Sequence, residues 1–186
     1  MEMTMTLTKD EEIRTGLKSS GVPEATFYTT LVLENASDLR ELIVSRSLLR
    51  KGAAKGVYVY PKAKANTTRA RKLFYLVAKE MFLTGTTVFC VSLTRLVELL
   101  NSEDYFGDAA SIDKVRVVFL LDFYEEGAPS PLTPSDAAKV RTWVRQRFEE
   151  GNAVSLLSDS PLDRCAPWWP VSFLGFLNEN VYTYAV

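Results

Sequence analysis

Apolar positions in this chain follow two rhythms. Short, nearly uninterrupted apolar runs alternate with longer stretches in which apolar residues recur every three or four positions. The uninterrupted runs are GVYVY (56–60), TTVFCVS (86–92), VRVVFLLDF (115–123) and AVSLLS (153–158), and NVYTYAV closes the chain. β-Branched and aromatic residues dominate them, which predicts strands buried on both faces. The wider spacing predicts helices. Ser37 to Arg50 carries Leu39, Leu42, Ile43, Leu48 and Leu49 on one side, with Ser37 as cap. A second helix runs from Thr67 to about Leu83, capped by Asn66 or Thr67, with Ala70, Leu73, Phe74, Val77, Ala78 and Met81 on one face. A third spans Leu93 to Leu100. A fourth starts at Pro134 or Ser135 and runs to about Glu150, with Gly151 past its end. A short exposed helix is expected over 8–19, capped by Thr8, and a helical turn over 171–177. SPLDRCAPWWP reads as irregular.

Strands alternating with helices predict an α/β fold in three layers: a parallel sheet of about five strands with helices on both faces. Residues 1–35 are expected to form a short N-terminal helical extension and 36–186 the α/β domain.

Composition narrows the chemistry more than the fold. The 186 residues are 47% hydrophobic and 24% charged, ordinary for one globular domain. The opening MEMTMTLTKDEE lacks the features of a signal peptide, and no run of apolar residues is long enough to span a bilayer. Two cysteines make no disulfide framework. These features together give the expectation of a cytoplasmic protein. There is no histidine, which excludes Ser-His and Cys-His nucleophile pairs. Two cysteines are too few for the common structural zinc sites, so no metal is expected.

Charge is uneven. Between Leu42 and Lys79 lie ten basic residues and no acidic one, leaving 12 basic and 23 acidic residues for the rest of the chain. A polyanion-binding face and a merely solvated basic surface account for this equally well.

In open α/β sheets, ligands sit beyond the carboxyl ends of strands. The first strand-loop-helix reads GVYVY-PKAKANTT-RARKLFYLVAKE. A phosphate-binding loop there would follow GxxxxGK[ST], with glycines letting backbone N–H groups curl round phosphates and the lysine reaching the β and γ phosphates. The order of elements from about residue 20 onward resembles the AAA+ domain of DnaC/IstB-type helicase loaders and transposition ATPases. The likeness rests on the GVPEA lead-in, the segment 56–83, TTVFCVSLTRLVELL, the apolar strand ending in Asp122, and SLLSDSPL. The resemblance implies a P-loop NTPase-like fold.

Matched position by position, the nucleotide site departs from that pattern. Pro61 and Asn66 stand where the loop glycines belong, and Thr67 stands for the lysine. Thr68 matches the magnesium-binding hydroxyl, and Asp122 matches the acid ending the second signature strand. Phe123 takes the place of the neighbouring carboxylate, Ser160 that of the sensor asparagine, and Phe176 that of a late arginine. Lys62 or Lys64 could stand in for the loop lysine, Glu125 or Glu126 for the carboxylate, and Arg164 for the arginine. Pro61, Asn66, Thr67, Thr68 and Asp122 thus read as a vestigial nucleotide site, with no catalytic residue and no cofactor expected; bound Mg-ATP is the disfavoured alternative.

The resemblance implies a non-hydrolysing, loader-like interaction protein in DNA replication or transposition. Its expected partner is a replicative helicase or related ATPase, with DNA as a further one. Two alternatives stay open: a divergent active ATPase or helicase loader, and a nucleic-acid-binding module using the basic 42–79 region. For the latter, Lys62, Lys64, Arg69, Arg71 and Lys72 are the expected phosphate contacts. Tyr58, Tyr60 or Phe74 would be stacking residues, although their strand and helix positions favour the core. Tyr105, Phe106, Trp168 and Trp169 are candidate partner-binding aromatics, with Trp168 and Trp169 also suited to closing a sheet edge.

Overall fold

The computed structural model describes residues 9–27, 36–102 and 112–186. Three helices come first: α1 (Lys9–Ser19), α2 (Glu24–Phe27) and α3 (Ala36–Lys51). Then follow β1 (Val57–Tyr60), α4 (Thr67–Leu83), β2 (Val88–Ser92), α5 (Leu93–Asn101), β3 (Val117–Leu121), α6 (Pro134–Glu149), β4 (Ala153–Leu157), α7 (Val171–Asn180) and β5 (Tyr182–Ala185). The five strands form one parallel sheet in the order β2-β3-β4-β1-β5. The expected α/β architecture is therefore the observed one.

The two faces of the sheet bury separate cores because side chains alternate along each strand. Val57, Val59, Phe119 and Leu121 pack under α1, α3 and α4, through Leu17, Leu49, Phe74 and Met81 among others. Tyr58, Val118, Leu120 and Leu156 pack under α5, α6 and α7. The chain leaves β1 toward the first face and leaves β2, β3 and β4 toward the second. This divergence opens a crevice at the carboxyl ends of β1, β3 and β4. At the opposite end of the sheet, Gly56 immediately precedes β1 where a Cβ would overlap the carbonyl oxygen of Val154.

Caps explain several boundaries. Ser92 accepts a bond from Arg95 N at 3.2 Å and starts α5. Helix α6 starts at Pro134, one of the two expected positions, and Thr133 caps it by accepting from Asp136 N at 3.1 Å. Thr133 also donates to the Asp136 carboxylate; this bond, with that from Asn101, holds the carboxyl below its ordinary range. Ser37 lies inside α3 and not at its cap. Asn66 occupies the N-cap position of α4 without bonding the helix; its amide donates to Val186 O instead. Residues 162–165, inside the segment expected to be irregular, form a 3-10 turn, and α7 is a full helix where only a turn was expected. Thr8, Tyr105 and Phe106 fall outside the described residues.

Both cysteines are buried and unpaired. Burial pushes the Cys90 thiol up to about 12 and Cys165 up to about 11, from an ordinary value of 9.0. Since the thiolate is the reacting form, a thiol reagent such as DTNB should leave the native protein untouched near pH 8 and modify both cysteines in denaturant. The folded values are raised, so their contribution to stability is complete below pH 9.0 and is lost as pH rises through 11 to 12. Chemical denaturation across that window should show falling stability.

Candidate functional site

The crevice is built from three connections. β1 ends at Tyr60 and α4 begins at Thr67, leaving residues 61–66 as the loop, the length that places Thr67 in register with a P-loop lysine. This loop contains no glycine. Among the described residues, Asp122 is the one non-glycine position with positive φ, so none of residues 61–68 adopts the left-handed turn of an anion-cradling nest. Residues 64–66 instead form a 3-10 turn. β5 pins the loop: Val186 O accepts from Lys62 N at 2.7 Å and from Asn66 Nδ2 at 3.1 Å.

The second connection leaves β3 through Asp122, whose φ of 56° turns the chain sharply. Asp122 faces α4, where Arg71 Nη2 donates to its Oδ1 at 2.5 Å. Both side chains are nearly half exposed, at 45% and 49%, so the pair is worth about 0.2–1 kcal/mol; it sets position more than stability. Phe123 turns the other way. It is fully buried, stacks on Trp169 with centroids 4.7 Å apart, and meets Tyr58 edge-on at 6.1 Å.

The third connection follows β4. Asp159 accepts bonds from Glu126 N at 3.1 and 3.2 Å, tying the β3 and β4 loops together. Ser158 donates to Tyr124 O at 3.3 Å. Ser160 is buried away from the crevice, where its carbonyl accepts the Tyr58 hydroxyl at 2.6 Å. Burial raises the Tyr58 pKa far above its ordinary value, so this hydroxyl donates and does not titrate.

Between these loops lies a cleft of about 200 Å³, bordered by Thr67, Arg71, Asp122, Tyr124, Glu125 and Asp159 among others. Pockets for cofactor-sized ligands usually hold roughly 300–1,000 Å³. Its charged side chains are three carboxylates and one guanidinium.

Of the residues matched to the nucleotide site, Pro61, Thr67 and Asp122 line the cleft and Asn66 and Thr68 do not; Arg71 lines it as well. The structure does not bring Lys62 or Lys64 there; both point to solvent, as does Lys72. Arg69 is half-buried and engaged in interactions of its own. Arg71, expected as a phosphate contact, is held by Asp122. Arg71 lies one helical turn beyond Thr67 on the face of α4 that borders the loop, a spacing that places it near the cleft without naming Asp122 as its partner. Arg164 lies near Glu126 at 3.7 Å, not at the cleft lining. Phe176 packs on Phe148 at 5.6 Å, with the Arg145 guanidinium 4.5 Å above its ring.

One aromatic expectation is corrected. Trp169 is buried, with its Nε1 donating to Phe123 O at 2.9 Å, so it is core and not a partner contact. Tyr58 and Phe74 are fully buried, in the core as their strand and helix positions favoured, and so are unavailable for stacking with bases. Trp168 is half-buried; its Nε1 donates to Ala128 O at 3.1 Å and its ring meets Tyr124 edge-on.

A five-stranded parallel sheet in this order, with a loop and helix following the strand second from the edge, defines the P-loop NTPase class of α/β folds. Known structures of helicase-loader and DnaA proteins share this fold. A putative primosome component from Streptococcus pyogenes serotype M3 aligns at TM-score 0.66 and 13% identity, covering 96% of this chain and 97% of that one. The DnaC helicase loader aligns at 0.61 and 12%, covering 91% and 98%. AMPPCP-bound DnaA from Aquifex aeolicus aligns at 0.64 and 10%, covering 89% of this chain and 51% of that one. The chain thus spans about half the length of this DnaA structure. No family model matches the sequence, and no curated protein sequence matches it. No helix among the described residues is long and apolar enough to cross a membrane.

Proposed function

We propose that this chain is a loader-like AAA+ domain that acts by contact and not by nucleotide hydrolysis, in DNA replication or transposition, with a helicase or related ATPase as partner. The observation that carries this reading is the Arg71–Asp122 ion pair. It occupies the carboxylate that would otherwise hold magnesium, beside a loop without glycine or lysine at the required positions. The residues present do not fit a magnesium triphosphate. A triphosphate would meet Asp122, Glu125 and Asp159 with Arg71 as the sole cation lining the cleft among the described residues. The position beside Asp122 offers a buried phenyl ring and no carboxylate to orient water. Losing a single charge-stabilising group costs about 2.7–4 kcal/mol of barrier, so several lost together leave negligible turnover.

The purified protein should hydrolyse ATP no faster than an Asp122→Ala variant. A true binder at 100 times its Kd would gain about 2.7 kcal/mol of stability. Millimolar Mg-ATP should instead leave the melting temperature unchanged. Turnover that disappears in Asp122→Ala, or a clear thermal shift, overturns this reading.

A second reading, a nucleic-acid contact, draws support from Lys62, Lys64 and Lys72, which are exposed around the start of α4 and have no acidic partner among the described residues. Its signature is oligonucleotide binding that weakens steeply with salt.

A further inference from the structure

Strand β2 lies at the edge of the sheet, with β3 as its one neighbouring strand. Val117 N donates to Thr87 O at 3.1 Å, and the register sets Val88 opposite Val117. Bonding along a parallel strand alternates, so Thr87, Phe89 and Val91 bond toward β3, while Val88 and Cys90 turn their N–H and C=O groups outward. At Cys90 the edge is already covered: Cys90 N donates to Ser20 O at 2.7 Å, just past the end of α1. At Val88 neither backbone group has a partner among the described residues.

A groove of about 510 Å³ opens at this uncovered part of the edge. Its walls are mainly apolar: Phe82 at the end of α4, Val88 and Phe89 on β2, Leu99 on α5 and Val115 before β3, with Ser19 where α1 ends. The one charged side chain lining it among the described residues, Arg95, is engaged by Glu98 at 2.8 Å. The groove therefore suits an apolar segment with a backbone to pair, and not a phosphate or a metal ion.

The chain carries such a segment directly before α1. MEMTMTLT alternates at every position, with Met1, Met3, Met5 and Leu7 apolar and Glu2, Thr4, Thr6 and Thr8 polar. This is the two-residue period of an extended segment with one apolar face. It also holds three of the four methionines of the chain, the unbranched side chain that fills irregular apolar gaps. Its length suffices. From Lys9 to Ser19 helix α1 rises about 15 Å, and eight extended residues reach about 26 Å.

We propose that residues 1–8 form a strap that folds back beside α1 and lies extended in this groove. Met3, Met5 and Leu7 face Phe89, Leu99 and Val115, the threonines face solvent, and one residue exchanges both backbone bonds with Val88. The strap closes the stretch of the β2 edge that Ser20 leaves open, an edge that would otherwise template pairing with another chain. Neither the cleft nor the Arg71–Asp122 pair takes part, so the strap stands whether or not the chain hydrolyses ATP.

Hydrogen–deuterium exchange of the full chain at low micromolar concentration, read by mass spectrometry on its N-terminal peptide, tests the proposal. Amides of residues 3–7 should exchange more slowly than in the synthetic octapeptide MEMTMTLT, by about tenfold or more. Val115→Glu, which puts a charge into the groove at a partly exposed position, should return them to the octapeptide rate. Met3→Ser combined with Met5→Ser should do the same, measured against its own octapeptide. Thr4→Lys combined with Thr6→Lys, on the outward face, should keep the protection, and circular dichroism should be unchanged in all three variants. The proposal is overturned if the unmodified protein exchanges these amides at the octapeptide rate, or if Val115→Glu keeps the protection. It is equally overturned if the methionine and threonine variants behave alike, or if protection grows with protein concentration, which would seat the segment on a second copy.

Discussion

Replacing Phe123 with glutamate should unfold the protein rather than create an ATPase. Position 123 is where the resemblance to helicase loaders expects a water-orienting carboxylate, so the substitution looks like a repair. The ring there is fully buried between Trp169, Tyr58 and Phe173. A carboxylate in its place would lose the stacked contact and carry a charge with no partner into an aromatic core. Burying an unpaired charge and removing a large side chain cost about 3–5 kcal/mol each. Their combination rivals the roughly 5–15 kcal/mol total stability of a domain. Circular dichroism and urea denaturation should report a loss of cooperative folding. Phe123→Leu, which keeps an apolar side chain, should remain folded with a lower midpoint. A folded, ATP-hydrolysing Phe123→Glu variant would show that the ring is not structural.

Gly56→Ala should be the next most damaging single change, by about 3 kcal/mol in equilibrium unfolding. The added Cβ would overlap the carbonyl oxygen of Val154, and the backbone has no room to retreat. Lys55 O accepts Val154 N at 2.9 Å on the β4 side, and Gly56 O accepts Tyr182 N at 3.0 Å on the β5 side. Relief of the clash must break one of these bonds where the chain enters β1, between β4 and β5. By contrast, Gly85→Ala meets nothing within 4 Å and bears only the strain of its positive φ. A smaller loss in Gly56→Ala than in Gly85→Ala would contradict this account.

Much of the architecture was legible from the chain because buried parallel strands and amphipathic helices write different periods into a sequence. The runs at 117–121 and 153–157 are strands buried at every residue, and the three-to-four spacing of α4 matches its buried face. Boundaries were less legible. Thr133 and Ser92 cap helices through side-chain bonds that composition alone does not distinguish from those of neighbouring hydroxyls. The helix after Pro170 is buried through Phe173, Leu174 and Leu177, and tertiary contact rather than propensity extends it.

The sequence by itself determined the class of fold, the identity of the residues at the β1 loop, and the absence of the histidine chemistries, since these depend on period, count and spacing. Tertiary structure alone decided where charge and aromatic surface end up. It joined Arg71 to Asp122 across 51 positions and buried Trp169 while leaving Trp168 half open. The physical reason is that burial and ion pairing depend on which distant segments the sheet brings together, and local sequence carries no record of those neighbours.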